Sequence, residues 1–277
     1  MYPVGVMCRV LEVSRSGYYA WRERPPSARK MADQALIIKI RHYFEASEET
    51  YGAERIHQDL QAAGIRCGRE RVARLMRQAC LEPKTKRPFK VQTTDSDHDL
   101  PVAPNRLGQD FRTTGINRVW LSDITYVRTD EGWLYLAVVL DLYSRRIVGW
   151  AMSDSLHRQL VIDALQMAIA ARQPLPGLLH HSDRGSQYAS GDYQALLTLT
   201  KMVGSMSRRG NCYDNAPMES FFGTLKQERV FHRHYATRDE AKTDIFHYIE
   251  VFYNRYRRHS ALNYQCPVTY EMLPLVA

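Results

Sequence analysis

Nothing in this chain approaches the ~20 consecutive apolar residues that span a bilayer. Its start, MYPVGVMCRV, has no apolar run of the kind a signal peptide needs. No membrane partner is expected, and a cytoplasmic protein is. Cysteine is scarce: Cys8, Cys67, Cys80, Cys212 and Cys266 are widely scattered, odd in number and without a C-x-x-C. That excludes a disulfide framework and a cysteine zinc site, and it fits reduced thiols. Internal repeats and a heptad zipper are also missing. What is there is ordinary for a globular chain: of 277 residues, 44% are hydrophobic and 25% charged. This suffices for one large domain, or a medium domain with a smaller companion. The net charge of +8 biases the protein toward polyanions, of which nucleic acid is the commonest.

Periodicity divides the chain into four stretches. Residues 1–24 read as a short helical segment, with Met7, Val10 and Leu11 at helical spacing and Ser14 as N-cap of a second piece through Tyr18 to Trp21. Residues 25–82 begin with RPPS as a break, then an amphipathic run through Ala35, Ile38, Ile40 and Phe44. Ile56, Leu60 and Ala63 mark the next helix, stopped by Gly64, and Val72, Leu75, Met76 and Ala79 the one after. The far face of that last helix carries Arg71, Arg74 and Arg77. Two helices on a short Gly-containing turn, the second faced with arginine, form a candidate helix-turn-helix for DNA. Residues 83–112 read as a linker, basic first (KTKRPFK) and acidic later (TTDSDHD).

From residue 113 to 277 the character changes. RVWLSDITYV, GWLYLAVVLDLY and RRIVGWAMS read as three strands joined by tight turns, an antiparallel meander whose middle strand is buried on both faces. RQLVIDALQMAIAARQ is a helix, PGLLHHSD a short strand, YQALLTLT a helix and KMVGSMS another short strand. A helix from NCYDNAPMESFF and one long final helix, RDEAKTDIFHYIEVFYNRYRRHS, complete the order. This predicts a mixed α/β sheet of five strands flanked by helices.

Three acids stand out by position. Asp123 lies inside the first strand, where a charge is costly away from a solvated or functional edge. Asp183 lies where an apolar strand gives way to a loop. Glu219 lies in the first turn of a helix beside Pro217, where the helix dipole favours its ionised form. Each alone has a plain explanation: an arginine pair, an Asx-turn, a dipole partner. Together they belong to one sheet and can meet at one edge. Oxygen ligands without Cys or His suit Mg²⁺, with Mn²⁺ as a substitute. A pair of such ions about 3.5–4 Å apart drives in-line phosphodiester displacement. Lys226 follows Glu219 by about two helical turns, with Gly223 between them, so it faces the same way and is placed to hold a phosphate. Arg184, Gln187 and Asn215 border the site and either touch DNA or brace the loops. His180 and His181 read as structural. Arg255, Arg257, Arg258 and His259 form a basic end, for phosphate or for solvent.

WLSDITYV, HSDRGSQYAS and NCYDNAPMESFFGTLKQE, with 35 residues between positions 183 and 219, resemble the DDE transposases of bacterial insertion sequences. YGAERIHQDLQAAGI and YNRYRRHSALNYQCPVTYE extend the resemblance over nearly the whole chain. It is similar above all to the second-reading-frame catalytic product of elements with two overlapping frames. The resemblance implies a ribonuclease-H-like catalytic domain in which Asp123, Asp183 and Glu219 bind two Mg²⁺ ions. It implies nicking at the 3′ ends of the element and strand transfer by the freed 3′-OH. It also implies double-stranded DNA partners, element ends and target, a homo-oligomer on DNA near the nucleoid, and an upstream-frame DNA-binding protein or fusion. Two other readings stand beside it. His181, Arg184 and Tyr213 outline a tyrosine recombinase, which needs no metal. A DNA-binding regulator with a decayed catalytic fold is the other.

Overall fold

The computed structural model describes residues 2–84, 101–208 and 212–273. The chain divides into two compact units, Met1–Glu82 and Pro83–Ala277. Most of the charged part of the expected linker, residues 85–100, lies outside the described residues, as do residues 209–211. Among the described residues no helix is long and apolar enough to cross a membrane.

The first unit is helical. Helices α1 (Val4–Val10) and α2 (Arg15–Glu23) are short. Ser14 caps α2 as expected, its hydroxyl accepting the Gly17 N–H. Helix α3 (Ala28–Ala46) is capped by Ser27, and it buries Leu36, Ile40 and Phe44 at four-residue spacing. Ala35 and Ile38, expected on the apolar face, are exposed because that stripe runs through Leu36 instead. Helices α4 (Ala53–Ala62) and α5 (Arg69–Gln78) pack against α3 and each other through Ile56, Leu60, Val72, Leu75 and Met76. Gly64, at φ +75°, takes the left-handed conformation that turns the chain out of α4.

The arginine face of α5 turns partly inward. Arg71 Nε lies 2.8 Å from Asp33 Oδ1, and Arg74 Nη2 lies 2.7 Å from Asp33 Oδ2. Asp33 is itself buried on α3. The Arg74 and Arg71 hydrogen bonds hold its carboxyl below the usual range. Arg71 and Arg74 thus act as braces within the three-helix unit, while Arg77 stays exposed.

The second unit is the mixed sheet. Strands β1 (Val119–Thr129), β2 (Gly132–Asp141) and β3 (Ile147–Ser153) form the antiparallel meander. Helix α6 (Arg158–Arg172) crosses over to β4 (Leu179–Ser182), which pairs parallel with β1. Helices α7 (Ser186–Ala189) and α8 (Gly191–Leu199) then lead to β5 (Val203–Met206), parallel with β4. The strand order is β3-β2-β1-β4-β5. A 3₁₀ turn, Cys212–Asn215, enters α9 (Ala216–Glu228), which packs on β1. Helix α10 (Arg238–His247) packs on β1 and β2 and opens with a capping box between Thr237 and Glu240. The chain ends its described part with α11 (Pro267–Met272).

The long final helix of the sequence reading changes form partway. After α10 the backbone widens into a π turn, Tyr248–Tyr253, and the helix then stops. The π turn buries Tyr248, Ile249, Phe252 and Tyr253. The basic end beyond it divides: Arg257 is buried, Arg258 and His259 are half-buried, and Arg255 is exposed. Arg257 makes two bonds to Glu228, at 2.8 and 2.7 Å, and Arg258 donates to the Tyr264 carbonyl.

Helix α6 covers β2 and β3 through Leu160, Val161, Ala164, Leu165 and Ala168. Its approach is set by Gly149 in β3. A Cβ there would fall on the carbonyl oxygen of Ala164 and 2.7 Å from the Cβ of Ala168. Gly149→Ala is therefore expected to destabilise the protein by about 1–3 kcal/mol, the usual cost of overpacking. A urea midpoint unchanged from the natural chain would show that α6 can step back freely.

Candidate active site

Strand register brings two of the three acids together. Ser122 of β1 pairs with Ser182 of β4 in the parallel ladder. Asp123 and Asp183 are the next residues on each chain, so they leave the ladder abreast and toward the same side. Each carboxylate is steadied by a nearby amide: Asp123 Oδ1 accepts the Ile124 N–H at 2.8 Å, and Asp183 Oδ1 accepts the Gly185 N–H at 2.9 Å.

Glu219 arrives from the other direction, in the first turn of α9 with Pro217 ahead of it. Its helix is fastened at the start by two residues. Asn215 donates from Nδ2 to the Ser122 carbonyl at 3.3 Å, one residue before Asp123. Asp214, fully buried, accepts from Asn105 Nδ2 at 2.9 Å, Gln109 Nε2 at 2.8 Å, and the Arg208 backbone and guanidinium. The Arg208 side chain holds the Asp214 carboxyl far below its ordinary range. The sequence reading missed Asp214. Its only local signal was a position just before a helix start, where an acid is commonplace.

The acids share one electrostatic neighbourhood. Burial, then the charge of Asp183, pushes the Asp123 carboxyl well above the ordinary range. Glu219 adds to the push, while the Ile124 amide and Lys226 oppose it. Glu219 is exposed at its helix end, and partial desolvation raises its carboxyl as well. Among the described residues, no three His, Cys, Asp or Glu side chains are drawn together tightly enough, as they stand, to hold a metal ion.

The expected DNA-facing residues divide. Lys226 does share a face with Glu219, but only 6% of it is exposed, and its Nζ lies 5.2 Å from the centre of the Tyr126 ring. Burial lowers its amine to about 8, against the opposing pull of Asp123. It lies under the site rather than at its mouth. Asn215 is 5% exposed and serves as the pin to β1 just described. Arg184 donates from Nε to the Ser207 carbonyl, and Gln187 from Nε2 to the Leu156 carbonyl at 3.3 Å, so both brace loops while remaining partly accessible.

The histidines are structural, as expected. His180 Nε2 lies 2.9 Å from Ser122 Oγ and 3.1 Å from the Tyr193 hydroxyl. His181 Nδ1 lies 2.8 Å from Ser205 Oγ, and its Nε2 3.1 Å from Ser207 Oγ. Burial lowers them to about 3 and about 4, so both are neutral near pH 7. A recombinase that needs His181 as an active-site cation finds instead a ring with both nitrogens engaged inside the sheet.

Comparison with known proteins bears on the fold and the family. An integrase core domain model matches residues 114–212, and a second integrase core domain model matches residues 219–275. An HTH-like domain model matches residues 31–89. The chain is 50% identical over 264 residues to the insertion element IS600 uncharacterized 31 kDa protein of Shigella sonnei, covering 95% of this chain and 97% of that one. It is 45% identical over 261 residues to transposase InsF for insertion sequence IS3A of Escherichia coli (strain K12), covering 94% and 90%. In fold it is similar to a chain of the simian T-cell lymphotropic virus intasome solved with PP2A regulatory subunit B56 gamma. That match has a TM-score of 0.51 at 17% identity and covers 79% of this chain and 72% of the other.

Two outcomes follow from the placement of α9. The unfolded amine of Lys226 titrates near 10.5 and the folded one near 8. Between those values the unfolded chain holds a proton that the folded chain has released, so stability rises with pH across that window. Lys226→Met should remove that rise, as read from urea midpoints at pH 7.5 and 10; identical pH dependence in both proteins would count against a buried amine. Gly223 has no atom within 4 Å of where a Cβ would sit. Gly223→Ala should therefore stabilise the isolated protein by about 0.5–1 kcal/mol. A loss of stability would mean that the helix face is closed there.

Proposed function

The chain belongs to the integrase-core, DDE-type transposases of insertion sequences, and from that premise we propose that Asp123, Asp183 and Glu219 are its catalytic acids and hold two Mg²⁺ ions. The donor set fits hard divalent cations, because it is all carboxylate oxygen, with the neighbouring histidines engaged elsewhere. The observation that carries the reading is the raised Asp123 carboxyl, disfavoured in its charged form by burial and by Asp183. A divalent cation supplies the positive charge this group lacks. When bound, two such ions activate an attacking oxygen and stabilise the leaving oxygen of a phosphodiester.

The protein's own part is placement. The β1–β4 register holds Asp123 and Asp183 abreast, and Asn215 ties the helix of Glu219 to the same strand. Asp123 and Asp183 each accept a backbone amide N–H that steadies a carboxyl that would hold the ions. Lys226 acts from below on Asp123, favouring its ionised state. The open helix surface at Gly223 leaves room for a sugar-phosphate backbone beside Glu219. Arg184 and Gln187 at the rim, with Arg77 on the helical unit, are the proposed DNA contacts. Within the helical unit, Arg71 and Arg74 hold α5, and with it Arg77, by bracing on Asp33.

The reaction is metal-dependent nicking at the 3′ ends of the element, followed by attack of the freed 3′-OH on target DNA. Joining two ends calls for at least two copies on DNA, with end recognition shared by an upstream-frame protein or fusion. The test is cleavage and joining of oligonucleotides that carry the element ends. The natural chain should act with Mg²⁺, stop in EDTA, and leave no protein–DNA adduct. Glu219→Gln, which keeps the shape of an exposed side chain, should fold normally and lose both steps. Activity that survives EDTA or Glu219→Gln would refute the assignment.

A further inference from the structure

Helices α1 and α2 have no part in the function described so far, and they lie ahead of residues 31–89, which match the HTH-like domain. They form a second helical pair of that general kind. Helix α1 has 7 residues and α2 has 9, and the two pack on each other across Leu11, Glu12, Val13 and Ser14. Helix pairs that enter DNA are joined by such a turn of about 3–4 residues, often with a glycine in it. Glu12 takes the glycine's part here, with its φ of +53° in the left-handed region. The Val13 N–H closes the turn on the Cys8 carbonyl at 3.0 Å. Cys8, a small side chain, is buried in α1, while α2 buries none of its residues.

The start of α2 is well defined. Ser14 Oγ accepts the Gly17 N–H at 3.0 Å, and a Cβ at Gly17 would stand 2.7 Å from that oxygen, so glycine leaves the cap its room. Arg15 and Ser16 stand exposed in the first turn. Arg15, Tyr19 and Arg22 follow at i, i+4 and i+7, so they share one exposed face. The Arg22 guanidinium lies 5.5 Å from the centre of the Tyr19 ring, which steadies it. Helix α5 differs: two of its arginines are committed to Asp33 inside the unit. We propose that α1 and α2 are a second DNA-reading helix-turn-helix. Helix α2 lies in the major groove of a duplex, with Arg15 and Ser16 toward base edges and Arg22 toward phosphate. Charge selects this occupant: exposed arginine beside a hydroxyl is the chemistry that meets base edges and phosphates. The proposal rests on the reading of this chain as a transposase that acts on DNA.

Fluorescence anisotropy of the full chain on two duplexes of equal length tests this, one carrying an element end and one with that sequence scrambled. EDTA keeps cleavage from intervening. Arg15→Ala should weaken binding to the element end about 10-fold or more and to the scrambled duplex far less, because a base contact carries sequence. Arg22→Ala should weaken both alike, because a phosphate contact carries none. Both side chains are exposed, so both variants should keep the thermal midpoint of the natural chain. Natural affinity for the element end in Arg15→Ala would overturn the proposal. If Arg77→Ala loses binding in that same case, the transposase reading stands with α5 as the reader, and this inference alone fails. A natural chain that binds neither duplex also overturns it, and the cleavage assay then decides the transposase reading separately. The exposed Trp21 offers the other occupant, a protein. Arginine variants that bind DNA normally, with a Trp21→Ser variant that changes the sedimentation of the chain, would assign the pair to a protein contact and refute the inference.

Discussion

Two acids carried abreast by a parallel ladder are the constraint around which the mixed-sheet unit is arranged. Neighbouring carboxylates disfavour each other's charge, and the charge of Asp183, after burial, raises the Asp123 carboxyl. A strand pair left to itself would relax such a contact or replace one acid. Here the register cannot slip, because Ser122, one residue before Asp123, is tied from three sides. Its backbone pairs with Ser182 and its hydroxyl meets His180. Its carbonyl accepts Asn215. The neutral imidazole of His180 matters in this setting. A protonated one beside Ser122 would partly screen the acids and weaken their call for a cation.

The other buried carboxylates of this unit are settled differently. Asp214 holds Arg208, and Glu228 holds Arg257. Glu271 holds both Arg146 and Arg172 at 2.7 and 2.6 Å, tying α11 back to β3 and α6. Asp244 is met by Arg233 and by the Tyr235 hydroxyl. In each case an arginine supplies the fork that a buried carboxylate wants. Asp123 faces two further acids and a lysine whose amine burial has lowered to about 8. A chain this rich in arginine had the means to place a guanidinium there. Among the described residues, a carboxyl raised by neighbouring acids as well as by burial sets Asp123 apart from these arginine-held carboxylates.

Much of this was legible from residue order, and what was not has a common cause. The strands of the sheet and the helix starts at Ser14 and Ala216 are written in local patterns: alternation, caps, a proline in the first turn. So is the position of each acid relative to its own element. What local pattern lacks is the partner across the fold. The arginines of α5 looked solvent-facing because Asp33, which holds two of them, lies 38 and 41 residues away. The basic end after α10 looked exposed because Glu228 sits on another helix. The π turn was invisible because its buried residues also keep ordinary α-helical spacing, so the pattern does not tell the two apart.

Lys226 shows the limit most clearly. Helical geometry gave its angle correctly, on the face of Glu219, and said nothing about depth. Depth comes from how closely α9 lies on β1, and that is set by Met218, Phe221, Phe222 and Leu225, all buried. The same burial that seats Glu219 carries Lys226 below the surface two turns later, onto the Tyr126 ring. Its lowered amine and the raised Asp123 carboxyl are therefore one effect seen from two ends: each charge is costly in a site that excludes water, and each partly offsets the other. Such a pair tolerates a proton moving or a divalent cation arriving with little rearrangement of the helix between them. A lysine at the surface would have faced solvent; a buried one lets the fold favour the ionised form of Asp123.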